Sequence, residues 1–176
     1  MHIWIGCKLP ADFETELRGH CLAANQSIGL DTAAFSLPQH ISLKISFDVP
    51  DHQAVLTVLM AFLSAQQPFS VRLGHAEQFG NILWLPVEEN TALQQLHAQL
   101  DALLERRYGI PQHEFDKGFL FHSTLFIDEN AEKLAAMKSA MNSFPLPSEL
   151  QIDTFLLGLS PDGTAGSYRV VQTVEV

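Results

Sequence analysis

The sequence predicts an α+β protein with about seven strands and four helices, and three observations predict it. Short segments alternate apolar and polar residues as half-buried strands do, and longer segments repeat apolar residues at helical spacing. A strand, a short irregular segment and a helix follow one another twice, over His40–Ala65 and over His122–Met141. This repeat predicts two related lobes, and we interpret residues 1–176 as one domain because no low-complexity linker divides the chain.

The first part of the chain begins with a strand over His2–Leu9, which alternates weakly and ends at Pro10. A helix is predicted over Asp12–Asn25, because Asp is a favourable N-cap residue and apolar side chains recur along one face. The clearest strand is His40–Phe47, in which polar and aliphatic residues alternate throughout. Asp51–Ala65 is predicted to be the next helix, for the same two reasons as the first.

The centre of the chain contains two predicted strands and the best-defined helix. Phe69–Gly74 and Ile82–Val87 are predicted to be strands that join around the turn Gly80-Asn81. Asn90–Arg107 is predicted to be a helix, because Leu recurs at helical spacing and Gly109 then ends the pattern.

The last part of the chain repeats the strand and helix alternation. Phe119–Ile127 is predicted to be a strand, and Asn130–Met141 is predicted to be a short helix with its apolar residues on one side. Two further strands, Leu150–Leu159 and Tyr168–Val176, are predicted around the turn Pro161-Asp162-Gly163.

The charge balance restricts the class of partner. Ten Lys and Arg stand against twenty Asp and Glu, which gives a formal net charge of −10. Proteins that bind duplex DNA along its backbone need clustered cations, so we expect no duplex partner. No apolar run is long enough to span a bilayer and no leader pattern begins the sequence, so we expect a cytoplasmic protein without membrane contact. Cys7 and Cys21 are too few for a disulfide framework or a zinc knuckle.

Two of the predicted strands carry the same four-residue motif. The first reads His40-Ile41-Ser42-Leu43 and the second reads His122-Ser123-Thr124-Leu125, so each is His, any residue, Ser or Thr, and Leu. Side chains alternate between the two faces of a strand, so each imidazole shares a face with its hydroxyl and lies opposite an aliphatic face.

Two such strands side by side would form a cleft that contains both imidazoles. Of His40 and His122, a neutral one can take a proton from an attacking hydroxyl or water, and a protonated one can give a proton to the leaving oxygen. The hydroxyls of Ser42 and Thr124 can donate hydrogen bonds to non-bridging phosphoryl oxygens. The pattern therefore favours phosphodiester cleavage that needs no metal.

Other kinds of site fit the sequence less well. A zinc site requires closely spaced His or Cys ligands, which the sequence lacks, so we expect no metal. A Ser-His-Asp triad could combine Ser42 or Ser123 with Asp128, but no nucleophile-elbow pattern surrounds either serine. The remaining histidines lack the motif, and His97, on the Leu-rich helix, is expected in solvent or at the edge of the core.

The twin motif resembles that of the two-histidine (2H) phosphoesterase superfamily, in particular the LigT-like RNA 2′,3′-cyclic phosphodiesterases, also called 2′-5′ RNA ligases. The resemblance covers nearly the whole chain. Besides the motifs it rests on the end of the opening strand, on a central strand and on a Tyr-led final strand, which are Leu9-Pro10, Ile82–Val87 and Tyr168–Val171. Ser42 stands where the family usually has Thr, and Phe121 stands where it often has Pro.

The resemblance implies a bilobal fold in which two antiparallel sheets flank a central cleft, with the helices outside. It implies metal-independent hydrolysis of the 2′,3′-cyclic phosphate of a nucleotide or short RNA end to a 2′-phosphate, with no cofactor. The family's roles would make His40 the acid for the leaving 3′ oxygen and His122 the base for water, with Ser42 and Thr124 holding the phosphate. We expect the protein to act as a monomer on a small nucleotide or an RNA 3′-terminal cyclic phosphate.

Three further residues are candidate substrate contacts. Lys44 shares the predicted strand face of His40, and Trp4 and Tyr168 could each stack on a base or belong to the core. Two alternatives to the expected activity remain open. One is action on another small phosphodiester, such as an ADP-ribose cyclic phosphate or a 2′-5′ linked oligonucleotide. The other is an RNA- or nucleotide-binding module with little turnover.

Overall fold

The computed structural model describes residues 1–164 and 166–176, and it confirms the predicted α+β class. Over these residues the four α-helices are α1 (Ala11–Ile28), α2 (His52–Ser64), α3 (Thr91–Tyr108) and α4 (Ala131–Met141). Helix α3 shows why the predicted boundaries hold: the Asn90 side chain accepts a hydrogen bond from the Leu93 N–H at 3.0 Å, and Gly109 ends the helix at a φ of 64°.

The strands of the described residues form separate antiparallel sheets. They are β1 (His2–Lys8), β2 (His40–Ser42), β3 (Phe47–Asp48), β4 (Phe69–Val71), β5 (Glu77–Phe79), β6 (Ile82–Pro86), β7 (His122–Ile127), β8 (Leu150–Ile152), β9 (Thr154–Ser160) and β10 (Arg169–Glu175). The first sheet has the order β10-β9-β1-β2, with β3 also paired to β1. The second sheet is β5-β6-β7, and β4 pairs with β8 in a third.

Three of the predicted strands differ from the structure. His40–Phe47 is not one strand, because the chain bends after Ser42 and returns to β1 as the short strand β3. The predicted strand Phe69–Gly74 is a strand only to Val71, where it pairs with β8, and it meets the predicted strand Ile82–Val87 only at its end, through Leu73 and Val87. The partner across Gly80-Asn81 is β5, which was not predicted. The predicted strand Leu150–Leu159 is interrupted at Asp153.

The core lies beneath the first two sheets and leaves their other faces to form a cleft. On β1, Ile3 and Ile5 are fully buried, whereas Trp4 alternates to the opposite face. The sheets meet where β2 packs beside β7, and the buried Ser123 hydroxyl donates a hydrogen bond to the buried Gln39 side chain at 3.0 Å across this seam. Among the described residues no helix combines the length and apolarity needed to cross a lipid bilayer.

Candidate active site

The two motif histidines have the same local geometry. The Nδ1 atom of His40 lies 2.7 Å from the Pro38 carbonyl oxygen, and Nδ1 of His122 lies 2.7 Å from the Leu120 carbonyl oxygen. A carbonyl oxygen only accepts, so Nδ1 is the protonated nitrogen of each ring. Each neutral imidazole therefore keeps the lone pair on Nε2, which is the atom available for proton transfer.

Each imidazole also packs against a tryptophan of the neighbouring strand. The ring centroids of Trp4, on β1, and His40 are 4.3 Å apart in an edge-to-face arrangement. The centroids of Trp84, on β6, and His122 are 4.2 Å apart with the planes tilted by 34°. Both indoles are buried, so they fix the orientation of the histidine rings from one side.

The hydroxyls beside the two histidines are held differently. The Trp4 indole N–H donates to Ser42 Oγ at 3.1 Å, which leaves the Ser42 proton free to point elsewhere. Thr124 lies directly across from Trp84 in the ladder of β6 and β7. The Trp84 indole N–H is buried and has no acceptor among the described residues.

Two glycines make room for Trp4. A Cβ at Gly6 would lie 2.6 Å from the Trp4 ring and 3.3 Å from His40 Cδ2, and a Cβ at Gly158 would lie 2.7 Å from the same indole. Neither distance to the indole is compatible with a side chain. The bare backbone at these two positions therefore lets Trp4 lie across the sheet and reach His40.

Burial favours the neutral form of both histidines. Desolvation lowers the pKa of His40 to about 4, although the hydrogen bond to Pro38 acts in the opposite direction and the charge of His122 lowers it further. Desolvation also lowers the pKa of His122, against the hydrogen bond to Leu120. The influence of one imidazole on the other reflects the adjoining positions of β2 and β7, where the structure brings His40, Ser42, His122 and Thr124.

Lys44 does not lie on the cleft face where the sequence predicted it. Strand β2 ends at Ser42, so alternation stops, and Lys44 turns into the core with 2% of its side chain exposed. Its Nζ lies 2.7 Å from Asp101 Oδ1 and 2.5 Å from Asp116 Oδ2. An ammonium that two buried carboxylates already hold is not placed to bind substrate.

His97 joins the same buried cluster, which corrects the prediction that it lies in solvent or at the core edge. Its Nδ1 lies 2.6 Å from the Leu43 carbonyl oxygen, and its Nε2 lies 3.1 Å from the Asp116 carbonyl oxygen and 3.4 Å from Asp101 Oδ2. Burial raises the pKa of Asp116, but the hydrogen bonds from Lys44, Ile45 N–H and His113 N–H outweigh burial and lower it overall. The cluster connects the bend after the first motif to the turn before the second.

The other two candidate contacts occupy different settings. Trp4 is 6% exposed and covered by His40 and by the backbone of Gly6, so its indole offers no open surface for a base. Tyr168 is half-buried, and its hydroxyl is buried without a partner among the described residues.

Two residues at the cleft were not predicted from the sequence. Trp84 lies on the cleft face beside Thr124, and Lys8 lies directly across from His40 in the ladder of β1 and β2. Lys8 is half-buried, and its pairing places it on the same sheet face as His40. The alternation of each strand predicts which residues share a face with Lys8 or Trp84. It does not predict which strand pairs with it, so the neighbours across the ladder are known only from the structure.

A separate cavity, which neither histidine lines, lies elsewhere in the described residues. That cavity has a volume of about 940 Å³ and lies between residues 44–51 and 108–114. Its walls are mostly apolar, and they include Phe47, Val49 and Ile110. Within the described part of the chain no cluster of three or more His, Cys, Asp or Glu could hold a metal ion.

Comparison with known proteins shows to which family the chain is similar. A family model of the 2′-5′ RNA ligase superfamily matches residues 15–160. A search of curated proteins finds no match.

Solved structures resemble the fold over its full length. The protein TT0787 of Thermus thermophilus has a TM-score of 0.70 at 18% identity, and 99% of this chain and 97% of that chain are covered. A structure described as a phosphoesterase has a TM-score of 0.62 at 19% identity, with the same coverage. Escherichia coli LigT complexed with 3′-AMP has a TM-score of 0.59 at 18% identity, again with 99% and 97% covered. Other structures of that LigT hold NADP⁺, phosphate or ATP. At these identities the likeness establishes the fold.

Proposed function

Because the chain belongs to the 2′-5′ RNA ligase superfamily of two-histidine phosphoesterases, we propose that it hydrolyses the 2′,3′-cyclic phosphate of a nucleotide or short RNA end. The observation that carries the proposal is the matched pair of histidines on adjoining strands, each with Nδ1 bonded to a carbonyl and a hydroxyl two residues later. The product is a 2′-phosphate and a free 3′ hydroxyl, and the proposed enzyme acts as a monomer.

The proposed reaction is an in-line attack of water on phosphorus. Nε2 of one neutral histidine takes a proton from the water as its oxygen bonds to phosphorus, and Nε2–H of the other gives a proton to the departing 3′ oxygen. The bond between phosphorus and that oxygen breaks, so one proton enters and one leaves the pair of rings. The hydroxyls of Ser42 and Thr124 donate to the non-bridging oxygens, where charge accumulates.

The lowered pKa values of His40 and His122 mean that the substrate must help to charge one ring. A bound phosphodiester is an anion between two desolvated imidazoles, and it favours the protonated form of either. The two rings therefore reach the required pairing, one charged and one neutral, when the substrate is in place. The family's assignment of His40 as the acid and His122 as the base remains a proposal.

The size of the substrate follows from the charges. The protein is strongly acidic, and no run of cations stands beside Lys8, which shares the sheet face of His40, so we propose a small substrate rather than long RNA held along its backbone. The nucleotides bound to Escherichia coli LigT, including 3′-AMP and ATP, support a small nucleotide ligand.

The decisive measurement is turnover of adenosine 2′,3′-cyclic phosphate in EDTA, followed by phosphorus NMR. We expect a 2′-phosphate product, and we expect His40→Ala and His122→Ala each to lower kcat/KM roughly 10²- to 10⁴-fold, the range of general acid–base catalysis. His75→Ala, at an exposed position, is the matched control and should retain activity. Full activity in either motif variant would contradict the mechanism, and binding without turnover in the parent would favour a binding module instead.

A further inference from the structure

Phe79 is an aromatic side chain that the core does not use. It lies at the end of β5, next to the turn at Gly80, and 60% of it is exposed. Its ring is stacked on Trp84 with the centroids 5.0 Å apart and the planes 9° from parallel. Stacking on Trp84 holds the Phe79 ring in place while most of it stays open to water, so a second flat ring can stack on it.

Phe79, Trp84 and His122 form a row across the second sheet. They lie on β5, β6 and β7, which are neighbours in that order. The two ring separations along the row, 5.0 Å and 4.2 Å, are close to the ~4.8 Å between adjacent strands. Trp84 therefore lies between the other two rings, and the open side of Phe79 faces away from His122 at the edge of the sheet.

This spacing decides which base can stack there. A ring on the open side of Phe79 is separated from His122 by two aromatic layers. The base of the reacting nucleotide is attached to the same ribose as the phosphate that His122 would act on, so it lies too close to His122 for that position. The base of the preceding nucleotide is one sugar-phosphate step further from the reaction and fits the separation.

We propose that Phe79 stacks the base of the nucleotide on the 5′ side of the cyclic phosphate, so the protein prefers an oligonucleotide end to a mononucleotide. This inference rests on the proposed function. The surrounding charges support a neutral ring as the occupant: the exposed Glu77 lies across from Trp84, and Glu129 accepts a hydrogen bond from Asn81 at 2.8 Å. Carboxylates here disfavour a phosphate and leave stacking unaffected.

The test compares three substrates. They are adenosine 2′,3′-cyclic phosphate, the dinucleotide ApA with a 2′,3′-cyclic phosphate, and the same dinucleotide without its 5′ base. Each is assayed with the parent, Phe79→Ala and Phe79→Trp. Phe115→Ala is the matched control, because Phe115 is 66% exposed and its ring contacts His113 at 5.3 Å rather than Trp84.

We expect the parent to show a higher kcat/KM on the complete dinucleotide than on the other two substrates. Phe79→Ala should lower only the dinucleotide value, by roughly 5- to 100-fold, the range for loss of one base–aromatic stack. Phe79→Trp should retain the preference, and Phe115→Ala should behave as the parent. An equal loss on all three substrates, or no loss on the complete dinucleotide, would overturn the inference while leaving the proposed function intact.

A binding measurement distinguishes failure of the proposed function from failure of the stacking inference. If the parent hydrolyses none of the substrates, the proposed function fails, and the stacking site is tested by calorimetry with ApA 3′-phosphate and 3′-AMP. Phe79→Ala should then weaken the binding of ApA 3′-phosphate and leave that of 3′-AMP unchanged. Equal affinity of the parent and Phe79→Ala for ApA 3′-phosphate would overturn the inference.

Discussion

In the first sheet His40 packs on Trp4 at 4.3 Å, and in the second His122 packs on Trp84 at 4.2 Å. Both rings donate from Nδ1 to a carbonyl oxygen at 2.7 Å. The surroundings then diverge: the Trp4 N–H is bonded to Ser42, whereas the Trp84 N–H has no acceptor among the described residues.

The features that the two sheets share are the ones that the proposed chemistry requires of both histidines. The orientation and tautomer of the imidazole are the same in both sheets, and these are the features that proton transfer depends on. The residues that pack against each tryptophan differ. Trp4 lies over Gly6 and Gly158, whereas Trp84 is stacked on Phe79. The two sheets are therefore alike at the reacting atoms and different in what lies further from them.

After the histidine variants, the largest effect is expected on stability, at the bend that follows the first motif. The second motif has no such bend. Lys44→Met leaves two buried carboxylates uncompensated, which we expect to lower the free energy of unfolding by about 3–5 kcal/mol. The measurement is urea denaturation. Arg72→Met removes an exposed ion pair to Glu88 and should cost less than about 1 kcal/mol. Equal losses in the two variants would show that the buried cluster does not hold the first motif.

A smaller effect, on activity, is expected at the two glycines beneath Trp4, which are Gly6 and Gly158. The strands β5, β6 and β7 around Trp84 contain no glycine. A Cβ at Gly6 displaces the Trp4 ring and crowds His40, so we expect Gly6→Ala to lower kcat/KM roughly 10- to 100-fold through misplacement of the imidazole. Gly19→Ala is the control, since a Cβ there meets nothing within 4 Å. Unchanged activity in Gly6→Ala would mean that Trp4 does not set the position of His40.

The smallest effect distinguishes the two imidazoles by pH. Both pKa values are lowered from 6.5, that of His40 to about 4, so the form with one charged and one neutral ring is most abundant below pH 6.5. The value of kcat/KM should therefore peak below that pH and fall as the pH rises. Proton NMR of the two rings should show His40 titrating near pH 4 and His122 titrating below pH 6.5. An optimum above about pH 7 would contradict the assignment of both rings to a desolvated cleft.

Much of the site was predictable because strand alternation is a local property. It placed His40 beside Ser42 and His122 beside Thr124 from the sequence alone. The same rule failed for Lys44, because alternation is lost wherever a strand bends and no residue at Leu43 or Lys44 signals the bend.

The rest depends on contacts between distant parts of the chain. The Trp84–His122 contact follows from the pairing of β6 with β7, and strand pairing is not encoded in either strand by itself. His97 was misplaced because a buried histidine needs partners from other elements, here the carbonyl oxygens of Leu43 and Asp116. The strand that carries Phe79 was missed because Glu77-Gln78-Phe79 is short and lacks β-branched residues.

The seam between β2 and β7 has a mechanical consequence. The two sheets are separate ladders, and the described bond across their seam joins the side chains of Gln39 and Ser123 rather than the backbones. One side-chain bond fixes the separation of two sheets less firmly than a ladder would, because a ladder holds several backbone bonds in a fixed register. The separation of the two imidazoles is therefore less firmly fixed than the position of each ring within its own sheet, where a carbonyl oxygen and a tryptophan hold it.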